Sequence, residues 1–199
     1  PLQYFIMPNE QHSTSKAILF ADISRSVRLF EKHGDVLATR IVVAVLDLLE
    51  KVGKGYAGRK IKTIGDEILC SFPEAAAAVS AAKEMHKAVA SDEMLRKFAI
   101  AVRIGLHYGD VLEEDGDMFG DAVNVASRAV DLAKAEQIIT TKDTVERLPE
   151  NKKREVRSLG KLKVHGRNRT MEFFEVLWQE DSLGQTILLD SRDDTLEFI

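Results

Sequence analysis

The chain has 199 residues, of which 45% are hydrophobic and 30% charged, and its formal net charge is −4. This composition predicts an ordinary globular domain with one substantial core, and the lack of a basic excess argues against binding to a nucleic-acid backbone. The sequence has no apolar run near the roughly 18 residues of a membrane span, and its one cysteine, Cys70, excludes an intramolecular disulfide. We therefore expect a cytoplasmic location and no membrane contact for this stretch of chain.

Composition divides the chain into three segments. Residues 1–15 are polar with few apolar positions and predict a linker or strap. Residues 16–178 carry the periodic apolar patterns of a folded domain, whereas residues 179–199 are acidic and predict a tail or a linker to a further domain. Because the chain begins with Pro1 instead of Met, we expect a piece of a longer protein whose regulatory domain, and any membrane anchor, lie elsewhere.

The first half of the domain alternates between strand and helix patterns. Residues 17–23 form a continuous apolar run, which is typical of a strand buried on both faces. Residues 26–52 repeat apolar positions every three or four residues, with a break at Gly34, and therefore predict an amphipathic helix. Two short strands at 59–64 and 67–72 flank a Gly-Asp turn and predict a hairpin with a carboxylate at its tip.

A second helix and a fourth strand complete this unit. The alanine-rich residues 75–89 predict a helix, and residues 99–107 predict a strand. The order is that of a ferredoxin-like βαββαβ core, an α+β fold with helices over one face of an antiparallel sheet. After an acidic loop at 113–117 we expect a C-terminal α/β extension, with a helix at 121–135 and strands at 137–141, 154–156, 159–164 and 171–178.

Two aspartates lie at the ends of strands that this topology makes neighbours. Asp22 ends the first strand, and Asp66 lies in the hairpin turn. Taken singly, each is more often a turn or solvation residue. Side by side, two carboxylates supply the oxygen ligands with which Mg²⁺ holds a nucleoside triphosphate. On the helix at 121–135, Asn124 and Arg128 are one turn apart, and together these residue types indicate phosphoryl transfer.

Three motifs occur in this order along the chain: Phe20-Ala21-Asp22-Ile23, Lys62-Thr63-Ile64-Gly65-Asp66, and the run from Phe119-Gly120-Asp121 to Arg128. They resemble the catalytic core of the bacterial class III nucleotidyl cyclases, and residues 103–109 resemble that family's central strand. The resemblance runs from about residue 16 to residue 176. It implies two Mg²⁺ ions, with Mn²⁺ as an alternative, bound by Asp22, Asp66 and the backbone carbonyl of Ile23.

The resemblance also implies the reaction and the roles of further residues. ATP would be converted to 3′,5′-cyclic AMP and pyrophosphate by attack of the ribose 3′-hydroxyl on the α-phosphate. Asn124 would orient the ribose, and Arg128 would stabilise charge on the α-phosphate in the transition state.

Base choice would depend on Lys62 and Asp117, which match the purine-selecting pair of the family. An ammonium only donates hydrogen bonds and a carboxylate only accepts them, so the pair complements N1 and N6 of adenine and opposes guanine. We therefore expect ATP rather than GTP. A shift in loop register could bring Asp115 or Asp121 into the pocket instead of Asp117.

The resemblance further implies a homodimer. In the family, one subunit supplies the metal ligands and the other supplies the base, ribose and transition-state residues, so a two-fold axis produces two equivalent sites. Two positions depart from the family pattern. His165 stands where many members have a lysine for the terminal phosphates, and Gln137 stands where some have a second arginine. We expect a protonated His165 or a neighbouring lysine to hold those phosphates.

Three other interpretations remain open. The domain could be a guanylate cyclase of the same fold, or a catalytically weak cyclase-like module that acts through dimerisation. It could also be a diguanylate cyclase, because residues 64–67 differ by one residue from the Gly-Gly-Asp-Glu turn of that class. That enzyme class has no counterpart of the helix with Asn124 and Arg128, and Ile64 replaces a glycine that close approach of guanine would need.

Overall fold

An eight-stranded sheet forms the centre of the structure, a computed structural model that describes residues 13–163 and 170–179. The strands are β1 Thr14–Ile23, β2 Arg59–Ile64, β3 Glu67–Phe72, β4 Val102–Glu114, β5 Asp117–Phe119, β6 Ile138–Thr141, β7 Val156–Lys163 and β8 Thr170–Val176. The helices are α1 Ser26–Gly55, α2 Ala75–Ser91, α3 Glu93–Lys97, α4 Asp121–Leu132, α5 Lys142–Glu146 and α6 Glu150–Lys153. None of these helices, within the described ranges, is long and apolar enough to cross a bilayer.

The strand order is β2-β3-β1-β4-β6-β8-β7, with β5 paired to β4 outside this path. The first four strands pair antiparallel, so the predicted ferredoxin-like core is confirmed. The extension adds β6 parallel to β4, followed by β8 and β7 in antiparallel pairing. The hairpin strands β2 and β3 have the predicted boundaries, and Gly34 interrupts α1 with φ 74° and ψ 163°.

Helices cover both faces of the central strands. One set of β1 side chains, including Leu19, packs with α1 and α2 in the larger core, and the alternate set, including Ile18 and Phe20, packs against α4. The predicted burial of β1 on both faces is therefore confirmed. The expectation of helices on one face holds for α1 and α2, but α4 covers the second face because its apolar stripe needs a partner.

Several boundaries differ from the predicted ones. The strand predicted at 99–107 begins at Val102, because the residues before it close the end of α3 through hydrogen bonds to Leu95. The predicted acidic loop forms the tip of the β4–β5 hairpin, whose turn residues Asp115 and Gly116 both have positive φ. The strands predicted at 154–156 and 159–164 join into β7 across a bulge between Ser158 and Gly160. The short helices α3, α5 and α6 were not predicted.

Gly105 on β4 is the point of closest approach between the sheet and α4. A Cβ atom there would lie 2.0 Å from the backbone nitrogen of Val130 and 2.5 Å from the carbonyl carbon of Ala129. Because backbone atoms cannot move aside cheaply, we expect Gly105→Ala to lower the free energy of unfolding by about 3 kcal/mol. Denaturant unfolding would measure the effect, with Gly55→Ala as control, since a Cβ at Gly55 meets nothing within 4 Å. Equal stability of the two variants would contradict the packing described.

Candidate active site

Asp22 and Asp66 come together at one end of the sheet. Asp22 is the last residue but one of β1 and is 8% exposed, and its register partner on β3 is Glu67, the residue next to Asp66. The turn between β2 and β3 contains Gly65 with φ 63° and brings Asp66 beside Asp22. Burial raises the pKa of Asp22, and the charge of Asp66 and a hydrogen bond with it raise that pKa further. The two predicted metal ligands are therefore neighbours.

Arg103 on β4 is the cationic partner of Asp22. It lies opposite Asp22 in the β1–β4 register, and its Nε and Nη2 atoms each lie 2.6 Å from Asp22 Oδ2. This guanidinium lowers the pKa of Asp22, opposing the larger effect of burial. Arg103 was predicted only as part of a strand motif. A signal was present, since Arg103 is the single charged residue in the otherwise apolar run 98–106.

A pocket of about 540 Å³ opens beside these residues. It is formed by the β1–α1 connection, the hairpin turn, β4 and the residues after α4, and its lining includes Asp22, Ile23, Asp66 and Arg103. Ile23 also lines the pocket, although the residue is 2% exposed and its side chain packs in the larger core. The role of its carbonyl as a metal ligand stays a prediction.

The donor set of this pocket fits Mg²⁺ or Mn²⁺. Two carboxylates and a backbone carbonyl are hard oxygen donors, which these cations prefer. Within the described ranges no group of three or more His, Cys, Asp or Glu side chains could hold a metal ion without other ligands. A cation would therefore need water or substrate oxygens to complete its shell, which is the usual binding mode of Mg²⁺ in nucleotide sites.

Negative charge at this end of the sheet extends beyond the two aspartates. Burial raises the pKa of Glu67 to about 7, with further contributions from the charges of Asp22 and Asp131 on α4. The carboxyl groups of Asp22, Asp66 and Asp131 thus all act on that of Glu67, and Arg103 opposes them. A bound cation would relieve this repulsion. Glu67 and Asp131 were not predicted as site residues.

The predicted base-selecting pair is also formed. Lys62 Nζ on β2 donates a hydrogen bond to Asp117 Oδ2 on β5 at 2.5 Å, and the backbone amide of Met118 donates to Asp117 Oδ1 at 2.7 Å. The hydrogen bond from Lys62, followed by that from Met118, lowers the pKa of Asp117. Asp117 is therefore an anion that accepts hydrogen bonds, and the ammonium beside it donates them. This is the combination of acceptor and donor expected for adenine.

Asn124 and Arg128 lie one turn apart on α4. Asn124 is exposed and Arg128 half-buried, and neither side chain hydrogen-bonds to another residue in the described part of the chain. The pocket around Asp22 and Asp66 includes neither of them, nor Lys62 or Asp117. Within one chain, the predicted metal ligands therefore lie apart from the residues predicted to contact the base, the ribose and the α-phosphate. His165, the remaining predicted substrate-binding residue, lies outside the described residues.

Comparison with known proteins accounts for this combination of fold and motifs. The family model described as the adenylate and guanylate cyclase catalytic domain matches residues 9–176. The chain belongs to this family. Its fold resembles the crystal structure of an adenylate/guanylate cyclase/hydrolase from Silicibacter pomeroyi, with a TM-score of 0.73 and 30% identity over 83% of this chain and 97% of that one.

Longer proteins also match this cyclase domain. It is 31% identical over 137 residues to an adenylate cyclase of Streptomyces coelicolor, covering 64% of this chain and 35% of that protein. A relative from Rhizobium meliloti is 36% identical over 119 residues, covering 59% of this chain and 20% of its own length. The chain therefore spans about a fifth to a third of these curated relatives.

Proposed function

We propose that this cyclase domain is an adenylate cyclase that converts ATP to 3′,5′-cyclic AMP and pyrophosphate. The observation that carries the proposal is the pairing of Asp22 with Asp66 in an open pocket, on a chain that also forms the Lys62–Asp117 pair. The first pair suits a divalent cation and the second suits adenine. The adenylate cyclase of Streptomyces coelicolor, among the relatives, supports the choice of ATP.

Metal binding in this proposal belongs to Asp22, Asp66 and the carbonyl of Ile23. Two bound Mg²⁺ ions, or Mn²⁺, would supply charge neutralisation at the phosphates and a lowered pKa at the ribose 3′-hydroxyl. Asp22 would have to exchange its contact with Arg103 for a metal contact. Arg103 lines the same pocket, so its guanidinium remains available to phosphate oxygens after that exchange.

Binding of the ribose and stabilisation of the transition state are assigned to residues of α4. Asn124 can orient the ribose by hydrogen bonds without adding charge, and Arg128 offers a planar set of donors to the crowded α-phosphorus. Neither side chain is used by the described part of its own chain. Both are thus available to a nucleotide that contacts α4.

The separation of these groups supports a homodimer. The pocket with Asp22 and Asp66 excludes Asn124, Arg128, Lys62 and Asp117 of the same chain. A second copy related by a two-fold axis would bring its own α4 and base-selecting pair to that pocket, and the reverse would hold at the other site. We infer that each complete site combines the metal pocket of one subunit with the α4 helix and the base-selecting pair of the other. A regulatory domain elsewhere in the parent protein stays a prediction, as do the boundaries of the domain at 16 and 178.

One assay tests the proposed function. Purified protein would be incubated with Mg²⁺ or Mn²⁺ and with ATP or GTP, and the products resolved by chromatography. Cyclic AMP with pyrophosphate is the expected result. Cyclic GMP as the main product would revise the base choice, and a dinucleotide would favour the diguanylate reaction. No product from a verified dimer would leave a cyclase-like dimerisation module.

The base choice itself can be tested by reversing the polarity of its pair. In Lys62→Glu with Asp117→Ser, the first position accepts and the second donates, which complements guanine. We expect the ratio of kcat/KM for GTP over ATP to rise by about 10². Lys51→Gln on α1 is the matched control, since like the double variant it removes one positive charge from the total, at an exposed site. An unchanged nucleotide ratio in the double variant would remove Lys62 and Asp117 from base selection.

A further inference from the structure

A groove of about 390 Å³ adjoins the metal pocket, between the start of α1 and residues 98–101. Its lining combines apolar residues with exposed cationic ones: Leu29, Phe98, Ile100, Arg25, Arg28 and Lys32. In the described part of the chain, no Asp or Glu is among the lining residues. Within 13–163 and 170–179, the three cations form no salt bridge. The groove is therefore an apolar surface whose nearby positive charges have no carboxylate partner in these ranges.

The two walls of the groove are joined to each other. The ring of His33 on α1 packs edge-to-face on Phe98, with ring centroids 5.1 Å apart. The backbone amide of Ser24, just before α1, donates a hydrogen bond to the carbonyl of Ala101 at 2.9 Å. Because these contacts already fix the walls, a segment that binds between them loses little free energy to ordering of the surface.

The described chain leaves the domain next to this groove. The indole Nε1 of Trp178 donates a hydrogen bond to the carbonyl of Glu136 at 2.7 Å, and its ring stacks on His86 with centroids 4.9 Å apart. Ala135, the neighbour of Glu136, lines the groove. The C-terminal segment, residues 180–199, therefore starts two residues after an anchor that borders the groove.

The C-terminal segment lies outside the described residues, but its composition complements the groove. It has a single cation, Arg192, and several carboxylates: Glu180, Asp181, Asp190, Asp193, Asp194 and Glu197. It also contains apolar residues: Leu183, Ile187, Leu188, Leu189, Leu196, Phe198 and Ile199. Acidic and apolar side chains together match a surface that is apolar and positively charged.

We propose that the C-terminal segment binds in this groove of its own chain. Exposed ion pairs with Arg25, Arg28 and Lys32 contribute at most about 1 kcal/mol each, so burial of apolar side chains supplies most of the binding free energy. A short tether gives an effective concentration on the order of 1 mM, so a contact with a dissociation constant of that order is already half occupied. The proposal concerns a surface outside the metal pocket and does not depend on the proposed reaction.

Binding in the groove would also act on the metal pocket, because the two share a wall. The shared lining residues are Ile23, Ser24, Arg25, Ser26 and Ala135. A segment bound in the groove therefore contacts the connection that leads from Asp22 to α1.

The position of the C-terminal segment can be measured by NMR, with a nitroxide attached to Ser191→Cys in the chain of 199 residues. The nitroxide broadens the amide signals of residues close to it. Cys70 does not compete for the label, because it is buried and burial raises the pKa of its thiol to about 12. The reduced, diamagnetic form of the same sample is the reference.

Two charge-reversal variants of the spin-labelled chain test the role of the groove. Arg28→Glu with Lys32→Glu reverses charge at the groove. Arg40→Glu with Lys51→Glu makes the same change at exposed residues of α1 that do not line it. Thermal unfolding would verify that both variants are folded.

We expect broadening at residues 28–33 and 98–101 of the spin-labelled chain. It should fall about threefold in the groove variant and change less than about 1.5-fold in the control. Broadening only at other surfaces, no broadening, or an equal effect in both variants would overturn the proposal.

A mixed sample identifies which copy of the chain is bound. Isotope-labelled chains without nitroxide would be mixed with spin-labelled chains without isotope. We expect no broadening at the groove, because each segment binds its own chain. Broadening there would assign the groove to a second copy and overturn the proposal.

Discussion

Replacing Asp66 with asparagine is expected to lower cyclic AMP formation by about 10³-fold or more, while the domain stays folded. Divalent cations in such sites contribute several kcal/mol of transition-state stabilisation, and each 1.36 kcal/mol corresponds to about a factor of ten in rate. Asp66 lies in a turn and is only half-buried, so the amide should be accommodated with a change in unfolding free energy within about 0.5 kcal/mol. Product chromatography and denaturant unfolding would measure the two effects.

The control for this experiment is Asp47→Asn, which makes the same chemical change at an exposed position of α1. It should keep both activity and stability. Mn²⁺ binding, followed by electron paramagnetic resonance, should be lost in Asp66→Asn and kept in the control. Normal turnover by Asp66→Asn would remove this carboxylate from the reaction and with it the proposed metal site.

Asp66 is a better test than Asp22, although both are proposed metal ligands. Asp22 holds the guanidinium of Arg103 at 2.6 Å, so its replacement by asparagine would leave a half-buried cation without its anionic partner. Loss of activity in Asp22→Asn would then combine loss of a metal ligand with a displaced Arg103. Asp66 has no such cationic partner among the described residues, and its loss reports on metal binding more directly.

Much of the fold could be predicted because its signals are local. The apolar run that forms β1, the Gly-Asp turn between β2 and β3 and the three-to-four periodicity of α1 each occupy a single stretch of sequence. The position of α4 on the second face was missed, since it depends on Gly105 allowing close approach from a distant segment. Short helices such as α3 have too few residues for a periodic pattern to develop.

The site residues that lie in recognisable sequence motifs could be predicted. Lys62 and Asp117 are 55 positions apart, and their pairing followed from the family resemblance before the structure brought them together. Arg103 was missed as a partner of Asp22 because strand register, which sets them opposite each other, cannot be read from one strand alone.

Mixing two inactive variants is expected to restore activity if the site is shared between subunits. Asp66→Asn lacks a metal ligand and Arg128→Ala lacks the transition-state arginine, so each homodimer has two defective sites. In their heterodimer, one site combines the intact carboxylates of the Arg128→Ala subunit with the intact α4 of the Asp66→Asn subunit. With equal amounts and random exchange, about a quarter of the unmodified activity should return. Cyclic AMP formation against mixing ratio would measure it.

Two control mixtures distinguish a shared site from a gain in activity that arises only because mixing stabilises weak dimers. Asp66→Asn mixed with Asp22→Asn should stay inactive, because both defects fall on the metal-binding half and every site then contains one of them. Asn124→Ala mixed with Arg128→Ala should stay inactive for the corresponding reason on α4. Recovery in all three mixtures would mean that mixing only stabilises the dimer. Recovery in none of the mixtures although heterodimers form would mean that each chain builds its whole site alone. The separation of the metal pocket from Asn124 and Arg128 within one chain would then need another explanation.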